Sequence, residues 1–177
     1  MMRSQIIKEI SQTVLLLAGI VGAFWHQARA ADSSPQVTLN VTKASPREVE
    51  ALTQNAILRD YKFAWASLGV ALQSNSLSSI NGLFVGEAGA HLAAEVKGQQ
   101  QNDLTLRYTN QSHKLDAVFY SPEGDIVELH DTAEYDLEVL AGGKSLHSEH
   151  AVVHYVVLMT PGADRWVIRH LQAVPQF

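Results

Sequence analysis

The sequence predicts an α+β domain in which a long N-terminal helix and two shorter helices pack on a curved antiparallel sheet of four or more strands, giving a cone. Three observations carry that expectation. From residue 104 to 174 the chain runs in long alternating segments, 114–121, 125–140, 145–160 and 164–174. Turn chemistry separates them at Ser121-Pro122-Glu123-Gly124, Ala141-Gly142-Gly143-Lys144 and Thr160-Pro161-Gly162-Ala163, and short loops between long strands make an antiparallel meander. Before them, apolar residues recur at helical spacing for almost thirty residues.

The first thirty residues read as an address. Arg3 and Lys8 precede the 12-residue apolar run 14–25, and Ala28-Arg29-Ala30 closes it. This is the basic, apolar and small-x-small order of a secretory signal. A bilayer core needs about 20 apolar residues, so cleavage after Ala30 is expected, with a short uncleaved membrane anchor as the alternative. Either places the rest of the chain outside the cytoplasm, periplasmic or secreted. Residues 31–44, rich in Ser, Pro, Thr and Asn, read as a linker in which Val37 and Leu39 are the only strand-like pair, and residues 45–177 read as one domain.

Ser45-Pro46-Arg47-Glu48 reads as a helix start, with Ser45 as cap and Pro46 at the first helical position. Val49, Leu52, Ala56, Tyr61, Trp65, Leu68 and Leu72 then form one stripe that ends at Ser74-Asn75-Ser76. Tyr61 and Trp65 lie on it four residues apart, as core or as the lining of a pocket between helix and sheet. Residues 77–85 read as a short second helix and residues 87–101 as an amphipathic third, with His91 on its apolar side as a satisfied histidine rather than a ligand. Leu104, Leu106 and Tyr108 alternate as a first strand before a polar loop at 109–113.

Local patterns fit that order. Phe63-Ala64-Trp65-Ala66-Ser67-Leu68 lies in the first helix, and late in the chain the aliphatic strand from Val153 to Met159 leads through a Gly turn to Arg165-Trp166-Val167-Ile168. Over residues 45–174 the chain resembles the cone-shaped nuclear transport factor two-like (SnoaL-like) superfamily. It is most similar there to extracytoplasmic or membrane-tethered non-catalytic members, such as the domain shared by plastid- and cyanobacterial-division proteins and the secretion-channel scaffold proteins. The resemblance implies a homodimer through the outer sheet face. It leaves chemistry open, because the superfamily also holds dehydratases, isomerases and epoxide hydrolases.

Composition excludes several classes. The formal charge is −5 and the chain has no cysteine, so neither a nucleic-acid partner nor thiolate metal sites and disulfides are expected. The acidic excess grows beyond the first thirty residues, where Arg3, Lys8 and Arg29 stand against Glu9. No metal is expected either: His150 and His154 share a strand face but lie about 13 Å apart at ~3.3 Å per residue, and His147 points the other way. No phosphate-cradling Gly loop, Ser/His/Asp spacing or His-Glu-x-x-His is present, and no cofactor is expected.

Alternation isolates the candidate residues. Along 125–140 the inward positions are Val127, Leu129, Asp131, Ala133, Tyr135, Leu137 and Val139, so Asp131 is the single carboxylate on an apolar face. In the next strand Ala151, Val153, Tyr155, Val157 and Met159 point inward, which leaves His150, Val152, His154 and Val156 on an outer face too aliphatic to stand alone. The favoured reading is therefore an exported, non-catalytic module that binds itself or another protein through that face. The alternative is a cofactor-independent dehydratase or isomerase acting on a small apolar ligand. There Asp131 is the general base, His170 its partner, and Tyr61, Trp65, Tyr135 and Trp166 line the pocket.

Overall fold

The computed structural model describes residues 34–177. The signal or anchor reading of residues 1–30 lies outside them. The elements are β1 (Gln36–Asn40), β2 (Ser45–Pro46), α1 (Ala51–Ser74), α2 (Gly86–Asn102), β3 (Leu104–Tyr120), β4 (Val127–Ala141), β5 (Lys144–Pro161) and β6 (Trp166–Val174). All six strands join one sheet in the order β1-β3-β4-β5-β6, with β2 also paired to β3.

This corrects the expected fold class. Among the described residues the first element is a strand, not a long helix, and there are two helices rather than three. The sheet is mixed rather than antiparallel, because β1 and β2 both run parallel to β3. Ser45 and Pro46 do not open the helix; they pair with Phe119 and Tyr120. The helix starts only after Glu50, whose side chain makes no capping bond to the first turn and is held by the Arg47 guanidinium.

The expected second helix fails for a local reason. Only Leu77–Ser79 makes a single 3-10 turn. Gly82 then adopts a positive φ of 73°, and the backbone of Leu83 and Val85 bonds to both sides of Ile168 at 2.9 Å, extending the sheet past β6. A second correction concerns 109–113, which is no loop. β3 passes straight through it with a bulge between Thr109 and Ser112, where Asn110 takes the left-handed conformation at φ 53°.

Both helices cover one face of the sheet. Ile57, Tyr61, Ala64, Trp65, Leu68, Ala71 and Leu72 of α1 and Ala88, Leu92 and Val96 of α2 are buried against Leu115, Ala117, Val127, Leu129, Ala133, Tyr135, Leu137, Val157, Met159 and Ile168. Each fully buried aliphatic or aromatic side chain in such a layer stabilises by about 1.5–3 kcal/mol. The even residues of β4 and β5 form the other face, which no helix covers.

Candidate functional site

The period-two alternation of β4 carries Asp131 into the centre of this core, between Leu115 on β3 and Tyr155 on β5. Its side chain has no solvent exposure. The Tyr61 hydroxyl donates to Oδ2 at 2.7 Å, and His113 Nδ1 meets the same oxygen at 2.7 Å. One carboxylate oxygen thus joins the phenol and the imidazole in a single polar contact. Burial, and next the Asp131 charge, hold the Tyr61 phenol well above its usual pKa, so it stays a donor. The Trp65 ring packs tilted against His113 and Tyr155, with centroids 4.4 and 5.5 Å away. Tyr135 and Tyr155 share a hydroxyl contact of 3.1 Å.

This centre is sealed. Asp131, His113, Tyr61, Trp65 and Tyr135 are all buried, and a general base must come within hydrogen-bond reach of a substrate proton. Asp131 Oδ1, His113 Nε2, Trp65 Nε1 and Gln111 Oε1 are buried with no protein partner. The arrangement is a polar knot in an apolar core, held because a buried carboxylate without donors would cost several kcal/mol.

His170 is not part of it. A bulge in β6 opposite the Leu158–Met159 step pairs Ile168 with Met159 on the inner face but His170 with Leu158 on the outer one. There His170 Nδ1 contacts Glu87 at 2.8 Å. The expected Asp131–His170 pair is thus replaced by Asp131–His113. Trp166 is half-buried and packs beside Tyr120 at 6.5 Å between centroids. His113 sits in the stretch read as a polar loop, yet Gln111, His113, Leu115 and Ala117 alternate as one buried series. Extending the β3 alternation backward by two residues from Leu115 finds it.

The outer face brings His150, Val152, His154 and Val156 into one row on β5, opposite Asp136, Glu134, Thr132 and His130 of β4. Val152 is 58% exposed. His150 contacts Asp136 at 2.8 Å and Glu134 at 3.2 Å, and the Asp136 bond raises its pKa above the usual 6.5. His154 contacts the Thr132 hydroxyl at 3.2 Å. Phe177 lies across this row, stacked on His130 at 4.3 Å and edge-on to His154 at 5.0 Å. Among the described residues no three His, Cys, Asp or Glu side chains converge to hold a metal ion.

Fold and site together define a small helix-covered sheet domain with a closed polar centre and an open outer face. No protein-family model and no curated protein sequence matches the chain. Among solved structures it is similar to the intermembrane-space region of the chloroplast protein ARC6, with a TM-score of 0.57 at 16% identity, over 73% of this chain and 98% of that one. At that identity the likeness is one of fold.

Proposed function

We propose that this protein is an extracytoplasmic interaction module of the nuclear transport factor two-like kind, self-associating through its outer sheet face. One observation carries the reading: Val152 at 58% exposure, continuous with His150, His154 and Val156, forms an aliphatic and imidazole row on a face that no helix covers. Apolar area of this sort marks an interaction site. Phe177 on His130 and His154 indicates what the row accepts, a flat apolar group laid between imidazoles. The sealed Asp131 centre favours a binding role over turnover. Placement outside the cytoplasm rests on the pattern of the first thirty residues and accords with the compartment named for the ARC6 region. Among the described residues no helix is long and apolar enough to cross a membrane.

Sedimentation equilibrium at tens of micromolar tests it. A dimer at about pH 8.5 should weaken at about pH 5.5, because charged imidazoles resist desolvation in an interface. The range starts high because His150, bonded to Asp136, holds its proton to higher pH than usual. Val152→Glu should abolish the dimer at both values. A wild-type monomer throughout would refute self-association.

A further inference from the structure

A second polar cluster lies away from both the sealed centre and the outer face. A cleft of about 290 Å³ is lined by Arg59, Asp60, Phe63, Asp164 and Arg165. α1 supplies the first three, and the β5–β6 turn supplies the others. Its frame is fixed: Asp60 is only 5% exposed and accepts the Trp166 backbone N–H at 2.8 Å, tying helix to strand. The turn is closed by the Gly162 N–H donating to the Arg165 carbonyl at 2.6 Å.

Each arginine is anchored to the acid beside it. Arg59 Nε and Nη2 donate to Asp60 at 2.8 and 3.0 Å, and Arg165 Nε and Nη2 donate to Asp164 at 3.1 and 2.6 Å. A guanidinium carries five N–H donors in a planar fork. The side-on pair is spent in both cases, which leaves each end-on edge, Nη1 and the outer hydrogen of Nη2, directed to neither acid. Arg165 also lies over the Phe63 ring at 5.4 Å, and that ring is 49% exposed.

We propose that this cleft binds a small monocarboxylate with an aryl or alkyl body, the carboxylate between the end-on edges of Arg59 and Arg165 and the body against Phe63. Planar forks match a planar carboxylate. The oxyanion also relieves the repulsion between the two guanidiniums across the cleft. Single charge follows from the surroundings: Asp60 and Asp164 already offset both arginines, so a bound monoanion leaves one negative charge uncompensated where a dianionic phosphate leaves two. The apolar body follows from Phe63, about half of which stays exposed beside the Arg165 guanidinium.

The test is a titration of the full-length protein with sodium benzoate, followed by arginine side-chain and backbone NMR, with inorganic phosphate as a separate arm. Benzoate should shift Arg59 and Arg165 saturably in the millimolar range. Arg165→Gln, which removes the Asp164 ion pair and the contact over Phe63, both at the surface, should keep the fold and weaken binding by about tenfold or more, the usual consequence of losing charge-assisted hydrogen bonds. Should that variant fold poorly, Arg165→Lys keeps the charge, loses the fork and should show the same loss. Phe63→Ala should weaken benzoate while leaving acetate unchanged. Absence of a saturable benzoate shift, equal binding by the arginine variants, or tighter binding of phosphate than benzoate would overturn the proposal. None of these readouts depends on self-association.

Discussion

Asp131 shows how one residue is decided by its neighbours. With no exposure and two polar partners at 2.7 Å on one oxygen, it serves the fold. Asp131→Asn should therefore cost about 1–3 kcal/mol, because a neutral amide oxygen is a weaker acceptor for the Tyr61 hydroxyl than a carboxylate oxygen, and the added N–H groups must find partners inside the core. A thermal melt lowered by several degrees is expected, and Tyr61→Phe, which removes one donor, should lower it less. An unchanged or raised melting temperature for Asp131→Asn would mean that the carboxylate serves something other than the fold. The anomaly at Asp131 was legible in the alternation of β4, since one acid on an apolar face is a local pattern. Its partner was not. His113 belongs to a run of polar residues that resembles a loop, and only pairing with β1 and β4 turns that run into a buried strand.

At the scale of elements, α2 contains glycines with opposite roles. A Cβ on Gly89 would stand 2.8 Å from the Phe84 carbonyl oxygen, whereas one on Gly98 would meet nothing within 4 Å. Alanine is the better helix former by about 0.8–1 kcal/mol, so Gly98→Ala should stabilise by up to that amount. Gly89→Ala should destabilise in spite of the same propensity gain, because helix and backbone must part where the Phe84 segment joins β6. Urea denaturation of the two variants reads the sign directly; stabilisation by both would show that the close approach yields at no cost. The Gly142-Gly143 hairpin, with φ of 55° and 77°, is the opposite case, a turn whose chemistry lies wholly in its own residues. The failed helix at 77–85 shows the limit of spacing. Nine residues of apolar periodicity do not outweigh a central glycine when an edge strand offers hydrogen bonds instead.

For the whole molecule, β1 is the element that the linker-like composition of 31–44 hides, with only Val37 and Leu39 as a strand-like trace. Val37, Leu39 and Val41 pack on the core, and β1 closes the β3 edge from Ser112 to Asp116, beside His113. A chain beginning at Ser45 should therefore be less stable than one beginning at Ser34, by about 3 kcal/mol or more for three half-buried aliphatics and a lost strand. The urea midpoint measures this. Equal midpoints would leave residues 34–44 as the linker that their composition resembles. What the sequence determined by itself was most of the content of each face and the position of most turns: the α1 stripe from Tyr61 to Leu72 and its end at Asn75, though not its first turns, where Leu52 is exposed and Ile57 is buried instead, the inward series of β4 and the row from His150 to Val156. Those features arise from periods of 3.6 and 2 and from residues that tolerate positive φ, all chemistry within a few positions. Only the tertiary structure decided the parallel pairing of β1 and β2, the exchange of His170 for His113 at Asp131, and the cleft between α1 and the β5–β6 turn. Most of the contacts behind these join residues 70 to 106 positions apart, such as Tyr61 with Asp131 and Asp60 with Trp166, and even His113 and Asp131 stand 18 apart on different strands. Which distant edges and faces meet is settled by competition among all possible pairings for the same buried area and backbone hydrogen bonds, and no local pattern encodes the outcome.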